Sequence, residues 1–214
     1  MDKKIILYLH GFASSGQGTK AQYFRSRFES FPHVTFHTIE FNPTPKDFEY
    51  LTITGLINRL RQYLLGQQLD KISFIGSSLG ALVGLHYAHR FGGVERMLLL
   101  APALTYLTGK YTEPELQQWQ REGTINVAHY AFEQEIPLRY DYHLDGLRYL
   151  EPVPPPASLL IIHGQSDDVV PIENSRRYTA SYPDQTQLVK VDSDHRLNDQ
   201  LDLILKTGQS FLLD

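Results

Sequence analysis

Cysteine is absent from the 214-residue chain. This absence excludes disulfide bonds, thiolate-bound zinc and a thiol nucleophile, so any covalent catalysis must use oxygen or nitrogen. Long apolar runs are also missing: none approaches the roughly 20 residues of a membrane-spanning helix, and the first run ends at His10-Gly11, too early for a signal peptide. We therefore expect a cytoplasmic protein that has no membrane partner.

An excess of basic residues is equally absent, because the formal net charge is -4 and the sequence pI is about 6.1. Such a charge gives no electrostatic attraction to nucleic acid. Hydrophobic residues make up 42% of the chain and charged residues 21%, which is ordinary globular usage. The length fits a single domain, residues 1–214, and we expect this domain to act on a small molecule as a monomer or homodimer.

Short apolar runs alternate with helical patterns along most of the chain. Four runs are almost continuously apolar, as strands buried on both faces of a parallel sheet must be: residues 5–9, 72–75, 97–100 and 159–162. Two weaker candidates, residues 34–39 and 187–191, bring the set to about six. Helical patterns lie between them, at about residues 19–31, 49–65, 79–91, 172–182 and 198–213. The alternation predicts an α/β protein with a mostly parallel sheet and helices on both faces.

The segment from about residue 103 to 156 breaks this alternation. It ends in a proline cluster, residues 152–156, which can neither continue a helix nor lie inside a sheet. We interpret the segment as a helical cap over the C-terminal edge of the sheet, although a pair of ordinary connecting helices remains an alternative. It is rich in aromatic residues: Tyr106, Tyr111, Trp119, Tyr130, Phe132, Tyr140, Tyr142 and Tyr149.

A G-x-S-x-G pentapeptide, Gly76-Ser77-Ser78-Leu79-Gly80, follows the buried run 72–75 and opens a helical pattern. A strand that turns sharply into a helix projects the central serine from a strained backbone, and residues two positions away must then be small. Gly76 and Gly80 meet that requirement for Ser78. The helix N-terminus also favours negative charge beside this hydroxyl. Ser78 is therefore the candidate nucleophile, and the glycine spacing rejects Ser77.

The first strand is followed by His10-Gly11-Phe12 and then by Ser14, Ser15 and Gly16. A loop in this position supplies one backbone donor of an oxyanion hole, and the residue after the nucleophile supplies the other. We assign these donors to the N–H groups of Phe12 and Leu79. Gly11 lets the chain turn closely, and His10 is expected to brace the loop through a hydrogen bond. Phosphate binding is a weak alternative, because neither nucleotide-binding glycine spacing is present.

A serine nucleophile needs a positioned base, and the base needs a third group to orient it. Of the nine histidines, His195 lies in a loop between the last strand candidate and the final helix, where it can lean over the sheet edge towards Ser78. Asp167 follows the strand 159–162 and is the favoured acid. Asp168 competes for this role, whereas Asp194 abuts His195 and is poorly placed to face its ring.

These residues together resemble the α/β-hydrolase superfamily, through His10-Gly11-Phe12, the serine pentapeptide, His163-Gly164-Gln165-Ser166-Asp167 and Asp194-His195. The resemblance covers nearly the whole chain. Residues 7–15 and 75–81 look like those of small bacterial esterases of the YqiA/YcfP type. The resemblance implies an α/β-hydrolase fold and hydrolysis of a carboxylic ester or thioester, without a cofactor or metal, through an acyl-enzyme. The long insertion departs from the narrower family and leaves the substrate open.

The expected function is therefore that of a carboxylesterase-like serine hydrolase that uses Ser78, His195 and Asp167 on a small acyl substrate. The same residues would also serve a thioesterase, a peptidase or a carbon–carbon bond hydrolase, because the fold and the triad do not determine the leaving group. Two alternatives involve no turnover: a ligand-binding protein that keeps a hydrolase pocket, and an adaptor that works through its tyrosine-rich insertion.

Overall fold

The computed structural model describes residues 3–213; Met1, Asp2 and Asp214, which the expected domain includes, lie outside the described residues. Six strands form one sheet in which every neighbouring pair is parallel, in the order β2-β1-β3-β4-β7-β8. This confirms the predicted sheet, including its two weaker strands. The strands are β1 (Lys4–Leu9), β2 (Val34–Thr38), β3 (Ile72–Ser77), β4 (Val94–Leu100), β7 (Ser158–Gly164) and β8 (Thr186–Val191).

Helices cover both faces of this sheet, as predicted. Side chains of β1 alternate between the two faces: Leu7 and Leu9 join one apolar cluster, and Ile6 and Tyr8 join the other. The cluster of Leu7 is covered by α3 (Ile53–Gly66), α4 (Leu79–Phe91) and α7 (Ile172–Ser181). The cluster of Ile6 is covered by α1 (Thr19–Phe28) and α8 (Leu201–Leu213). Within residues 3–213, none of the helices has the length and apolar character needed to cross a bilayer.

The helix predicted at about 49–65 is α3, which begins at Ile53 rather than near residue 49. A short helix α2 (Pro45–Glu49) precedes α3, and Thr52 begins the second helix because its hydroxyl accepts the N–H of Gly55 at 3.0 Å. Thr44 begins the first in the same way, with Asp47 completing a capping box. The Thr52 cap thus delays the start of the predicted helix, and α2 is an additional short helix that the sequence pattern did not predict.

The insertion between β4 and β7 is only partly helical. It contains α5 (Glu113–Glu122) and α6 (Asp141–Gly146), but β5 (Thr124–His129) and β6 (Gln134–Arg139) form an antiparallel hairpin between them. The two-stranded ribbon tolerates Pro137 because each of its strands has a free edge. The insertion, which we predicted to be helical, is therefore a hairpin between two helices.

Several hydrogen bonds hold the insertion together and attach it to the rest of the chain. The buried indole of Trp119 donates to the carbonyl of Leu138 at 2.9 Å and joins α5 to the hairpin. Asp145 accepts the backbone N–H and the hydroxyl of Thr54, at 2.8 and 2.6 Å, and so joins α6 to the start of α3. The N–H of Tyr130, at the hairpin turn, donates to the carbonyl of Ala13 at 3.1 Å. The hairpin tip therefore lies against the loop that follows β1.

Candidate active site

Ser78 lies at a sharp turn between β3, which ends at Ser77, and α4, which begins at Leu79. Its φ of 51° and ψ of -116° place it in a strained region of backbone conformation. A side chain on Gly80 would collide with the carbonyl oxygen of Leu9, so this turn can lie against β1 only with glycine there. The turn leaves the Ser78 side chain at the C-terminal edge of the sheet, partly open to solvent.

The competing serine, Ser77, is buried and its side chain hydrogen-bonds that of Tyr8. Tyr8 belongs to the apolar cluster under α1 and α8, behind the sheet. Successive side chains thus leave the end of β3 in different directions, and only that of Ser78 reaches the candidate site.

The side chains of Ser78, His195 and Asp167 form a continuous hydrogen-bonded chain. Ser78 Oγ lies 3.0 Å from His195 Nε2, and Nδ1 of the same ring lies 2.8 Å from Asp167 Oδ2. A carboxylate can only accept, so Nδ1 carries a hydrogen and Nε2 of the neutral ring is left to accept the serine hydroxyl. His195 has a side-chain exposure of 19% and that of Asp167 is 0%. The arrangement therefore has an accessible base and an acid removed from solvent.

Asp167 is held by backbone as well as side-chain donors. Its Oδ1 accepts the N–H groups of Val169 and Val170, at 2.9 and 2.8 Å. Burial would raise the pKa of Asp167, but the hydrogen bonds from His163, His195 and the backbone hold this pKa well below its ordinary value. The carboxylate is thus ionised at neutral pH and available to stabilise a charged imidazole.

The two other aspartates that the sequence offered as acids lie elsewhere. Asp168 is exposed. Asp194 accepts the N–H groups of Arg196 and Leu197, at 2.8 and 3.2 Å, and so shapes the loop next to His195 without facing its ring. The structure thus brings Asp167 to His195 and leaves Asp168 and Asp194 outside the hydrogen-bonded chain.

The loop with the proposed oxyanion donors lies directly against the serine turn. A Cβ atom on Gly11 would lie 3.4 Å from Ser78 Cβ and 3.3 Å from the carbonyl oxygen of Ser77. In the part of the chain that the structure describes, neither the N–H of Phe12 nor that of Leu79 donates to a protein acceptor. Leu79 is the first residue of α4, where a free N–H and the helix dipole favour an anion.

His10 is buried and its two ring nitrogens are both occupied by the loops around it. Nδ1 lies 2.9 Å from the carbonyl oxygen of Gly11, and Nε2 lies 3.0 Å both from the N–H nitrogen of Phe41 and from Glu40 Oε1. Burial would raise the pKa of Glu40, but the neighbouring imidazole of His10 and the backbone N–H groups of Asn42 and Gly16 lower it. These contacts fit the bracing role predicted for His10, because none of them leads to Ser78.

The glycine-rich stretch after β1 does not offer its amides to a phosphate. The N–H of Gly16 donates to Glu40 Oε2 at 2.9 Å, and that of Gly18 donates to the carbonyl of Ser15 at 3.2 Å. A bound phosphate would also meet the carboxylate of Glu40. Nor does any group of three or more histidine, aspartate or glutamate side chains within residues 3–213 form a metal-binding cluster.

An aromatic wall lies beside the oxyanion loop. The ring centroid of Phe12 is 5.2 Å from that of Phe48 and 5.5 Å from that of Tyr142 in α6, and Tyr142 in turn contacts Tyr106 at 5.7 Å. Lys110 Nζ lies 4.4 Å from the centroid of the Phe12 ring, in cation–π geometry. Tyr142 and Tyr106 of the insertion are thus buried behind Phe12, which carries one of the proposed oxyanion N–H groups.

Gly164, at the end of β7, determines how closely the His195 loop approaches the sheet. A Cβ atom on Gly164 would collide with the carbonyl oxygen of Ser193 and lie 2.6 Å from that of Asp194. Gly164→Ala should therefore displace His195 and lower the rate of any reaction in which His195 acts as the base by about 10²-fold, because a misplacement of about 1 Å can have an effect of that size. Gly66→Ala, where a Cβ atom meets nothing within 4 Å, is the matched control and should keep wild-type kinetics. Equal activity of the two variants would contradict this prediction.

One residue of the site, His163, was not assigned a role from the sequence. It is completely buried at the end of β7, and its Nε2 lies 3.0 Å from Asp167 Oδ2. The only sequence signal is its position four residues before the acid, in the segment His163-Gly164-Gln165-Ser166-Asp167. Such spacing places both side chains at one strand end without revealing that they meet.

The chain resembles known proteins in fold at low sequence identity. It is 18% identical to a protein of Agrobacterium vitis S4, with a TM-score of 0.82 over 98% of this chain and 88% of that one. Alpha/beta hydrolase domain-containing protein 10 from mouse is also 18% identical, with a TM-score of 0.80 over 99% of this chain and 91% of that one. An esterase from Exiguobacterium antarcticum is 14% identical, with a TM-score of 0.68 over 100% and 93% of the two chains.

No curated protein matches the chain in sequence. A family match does exist, and it spans β1 to the middle of α8. Residues 5–207 match the sequence model of the family described as "Uncharacterised protein family (UPF0227)". The chain therefore belongs to this family and has the α/β-hydrolase fold.

Proposed function

We propose that the protein is a serine hydrolase that cleaves a carboxylic ester or thioester of a small molecule. The observation that carries the proposal is the hydrogen-bonded chain from Ser78 through His195 to the ionised, solvent-excluded carboxylate of Asp167. It occurs at the C-terminal edge of a parallel sheet, on a strained serine with an accessible hydroxyl. Each of these features activates an oxygen nucleophile, and together they favour covalent catalysis over ligand binding alone.

In the first half-reaction, Ser78 Oγ attacks the substrate carbonyl carbon while His195 Nε2 takes the hydroxyl proton. Asp167 stabilises the imidazolium that forms. The tetrahedral intermediate collapses, the bond between the carbonyl carbon and the leaving oxygen or sulfur breaks, and His195 returns the proton to the leaving group. An alcohol or thiol departs and an acyl-Ser78 ester remains.

Water completes the cycle by the same route. His195 takes a proton from the water as its oxygen attacks the acyl carbon, and a second tetrahedral intermediate forms. Its collapse breaks the bond to Ser78 Oγ, which recovers its proton from His195, and a carboxylic acid is released. The N–H groups of Phe12 and Leu79 would stabilise the oxyanion in both halves, and each such donor typically contributes about 10²–10³ in rate.

Phe12 packs against the buried rings of Phe48 and Tyr142 beside the proposed oxyanion donors. An apolar acyl or alcohol group next to the reacting carbonyl would contact Phe12, which is only partly buried. Esters and thioesters are preferred to amides in this proposal because the Exiguobacterium antarcticum protein with the same fold is named an esterase. A thioesterase, a peptidase or a carbon–carbon bond hydrolase would use the same three side chains.

The proposal also covers partners and compartment. A small acyl molecule is the proposed partner, with no cofactor, nucleic acid or membrane, and the protein is a monomer or homodimer. Since the chain has no cysteine, no disulfide requires an oxidising compartment, and we place the protein in the cytoplasm.

The proposed function is tested by combining covalent labelling with a substrate panel. Wild-type protein incubated with a fluorophosphonate should gain the mass of one probe per chain, and heat-denatured protein should gain none. A panel with one short acyl group as ester, thioester and amide should then show hydrolysis of the first two. Absence of labelling, under conditions in which a reference esterase reacts, would favour the ligand-binding alternative.

A further inference from the structure

The imidazole of His163 contacts the Asp167 carboxylate, as that of His195 does. Its Nε2 is 3.0 Å from Asp167 Oδ2, the same oxygen that accepts from His195 Nδ1, and 2.9 Å from the carbonyl oxygen of Val170. Its Nδ1 is 2.7 Å from the hydroxyl oxygen of Ser175, which is itself completely buried. One carboxylate oxygen is thus shared by two imidazoles.

The tautomer of His163 follows from its neighbours. The carboxylate of Asp167 and the carbonyl of Val170 can only accept, so Nε2 must carry the hydrogen that faces them. The Ser175 hydroxyl has no other side-chain partner among residues 3–213, and a buried hydroxyl needs an acceptor. Ser175 therefore donates to Nδ1, and the ring is held as the neutral Nε2–H form.

We propose that His163 is a positioning residue for the reaction, with Ser175 fixing its tautomer; this inference rests on the proposed function. His163 cannot touch substrate, because its side chain has an exposure of 0%. It acts through Asp167, whose Oδ1 is already occupied by the N–H groups of Val169 and Val170. The N–H of His163 is the fourth donor to this carboxylate, after those of Val169, Val170 and His195. It fixes the orientation of the carboxylate, so that Oδ2 faces His195.

The shared oxygen has an electronic consequence as well. A carboxylate oxygen that already accepts from His163 is a weaker acceptor for His195, so His163 moderates how strongly Asp167 stabilises the imidazolium. Without the His163 N–H, the carboxylate becomes more basic and favours protonated His195. The lower pH limit of activity, which reports deprotonation of the base, should then move to higher pH.

Three variants distinguish a positioning role of His163 from a role in core packing alone. His163→Phe keeps a planar ring but removes both nitrogens, His163→Gln keeps an N–H near the position of Nε2, and Ser175→Ala removes only the donor to Nδ1. They are compared in kcat, KM and the pH profile of kcat/KM, on an ester that the wild type hydrolyses. Urea unfolding measures the free energy of unfolding of each variant.

His163→Phe should lower kcat about ten- to a hundredfold, the effect of losing one hydrogen bond to a charged group, with little change in KM. The acid limb of its kcat/KM profile should move to higher pH by about half a unit or more. His163→Gln should retain most of the wild-type kcat and keep the acid limb near its wild-type pH. Ser175→Ala should show a smaller shift of the acid limb to higher pH. An unshifted acid limb in folded His163→Phe, or in Ser175→Ala if the phenylalanine variant does not fold, would overturn the proposal.

Failure of the proposed function can be recognised separately. It would appear as absence of labelling and hydrolysis in the wild-type protein, before any variant is compared. In that case ¹⁵N imidazole shifts test the network directly: wild-type His163 should be the Nε2–H tautomer at neutral pH. A predominantly Nδ1–H ring would overturn the network itself.

Discussion

Ser78→Ala should lower kcat for ester hydrolysis by about 10⁴- to 10⁶-fold and abolish labelling by a fluorophosphonate. The alanine removes the only hydroxyl that lies within hydrogen-bonding distance of His195 Nε2 among the described residues. The residual rate would come from the oxyanion donors and substrate binding alone, as in other serine hydrolases that have lost the nucleophile. Steady-state kinetics and intact mass together measure the effect.

Ser77→Ala is the matched control, since the two serines are adjacent and undergo the same substitution. Ser77 hydrogen-bonds Tyr8 behind the sheet, so its loss should lower stability by about 1 kcal/mol and leave labelling intact. Labelling that persisted in Ser78→Ala and disappeared in Ser77→Ala would reverse the assignment of the nucleophile.

Asp167→Asn should lower kcat by about 10⁴-fold, the effect seen when a triad aspartate is replaced by its amide. The amide group is neutral and can present an N–H to His195 Nδ1, which would favour the wrong tautomer and leave Nε2 unable to accept from Ser78. Asp168→Asn, one residue along the chain, should stay within about twofold of wild type because Asp168 is exposed. A large effect of Asp168→Asn with none of Asp167→Asn would contradict the geometry.

The same pair of variants tests a stability effect that depends on pH. The pKa of Asp167 is lower in the folded protein than in the unfolded chain, so its ionisation stabilises the fold above about pH 4. This contribution is lost as the pH falls from about 4 through the folded-state pKa. In urea unfolding, the difference between wild type and Asp167→Asn should therefore be larger at pH 7 than at pH 3. A difference that grows on acidification would contradict the cause assigned to the shift.

The sheet could be predicted because strands buried on both faces are continuously apolar. Strand β3 illustrates this, since every one of its residues is buried. The hairpin β5–β6 could not be predicted in the same way, because its strands are partly exposed and β6 contains Pro137. The break before α3 depends on the Thr52 cap, a single hydrogen bond within an otherwise continuous apolar pattern.

The candidate site shows the same division between local and long-range information. The glycines around Ser78 are a local signal, since sterics at one turn determine which residues are small. The choice between Asp167 and Asp168 is not local, because it depends on which of two successive carboxylates the turn directs towards His195. The part played by His163 depends on Ser175 in α7, which no short motif includes.

The hydrogen bond between the hairpin tip and the loop after β1 ties the position of the hairpin to that of a proposed oxyanion donor. Tyr130 donates to the carbonyl of Ala13, and Ala13 directly follows the proposed oxyanion donor Phe12. An outward swing of the hairpin must either break this bond or pull on the peptide next to that donor. A displaced hairpin would therefore also disturb the proposed oxyanion donor, so one hydrogen bond couples two segments that lie far apart in the sequence.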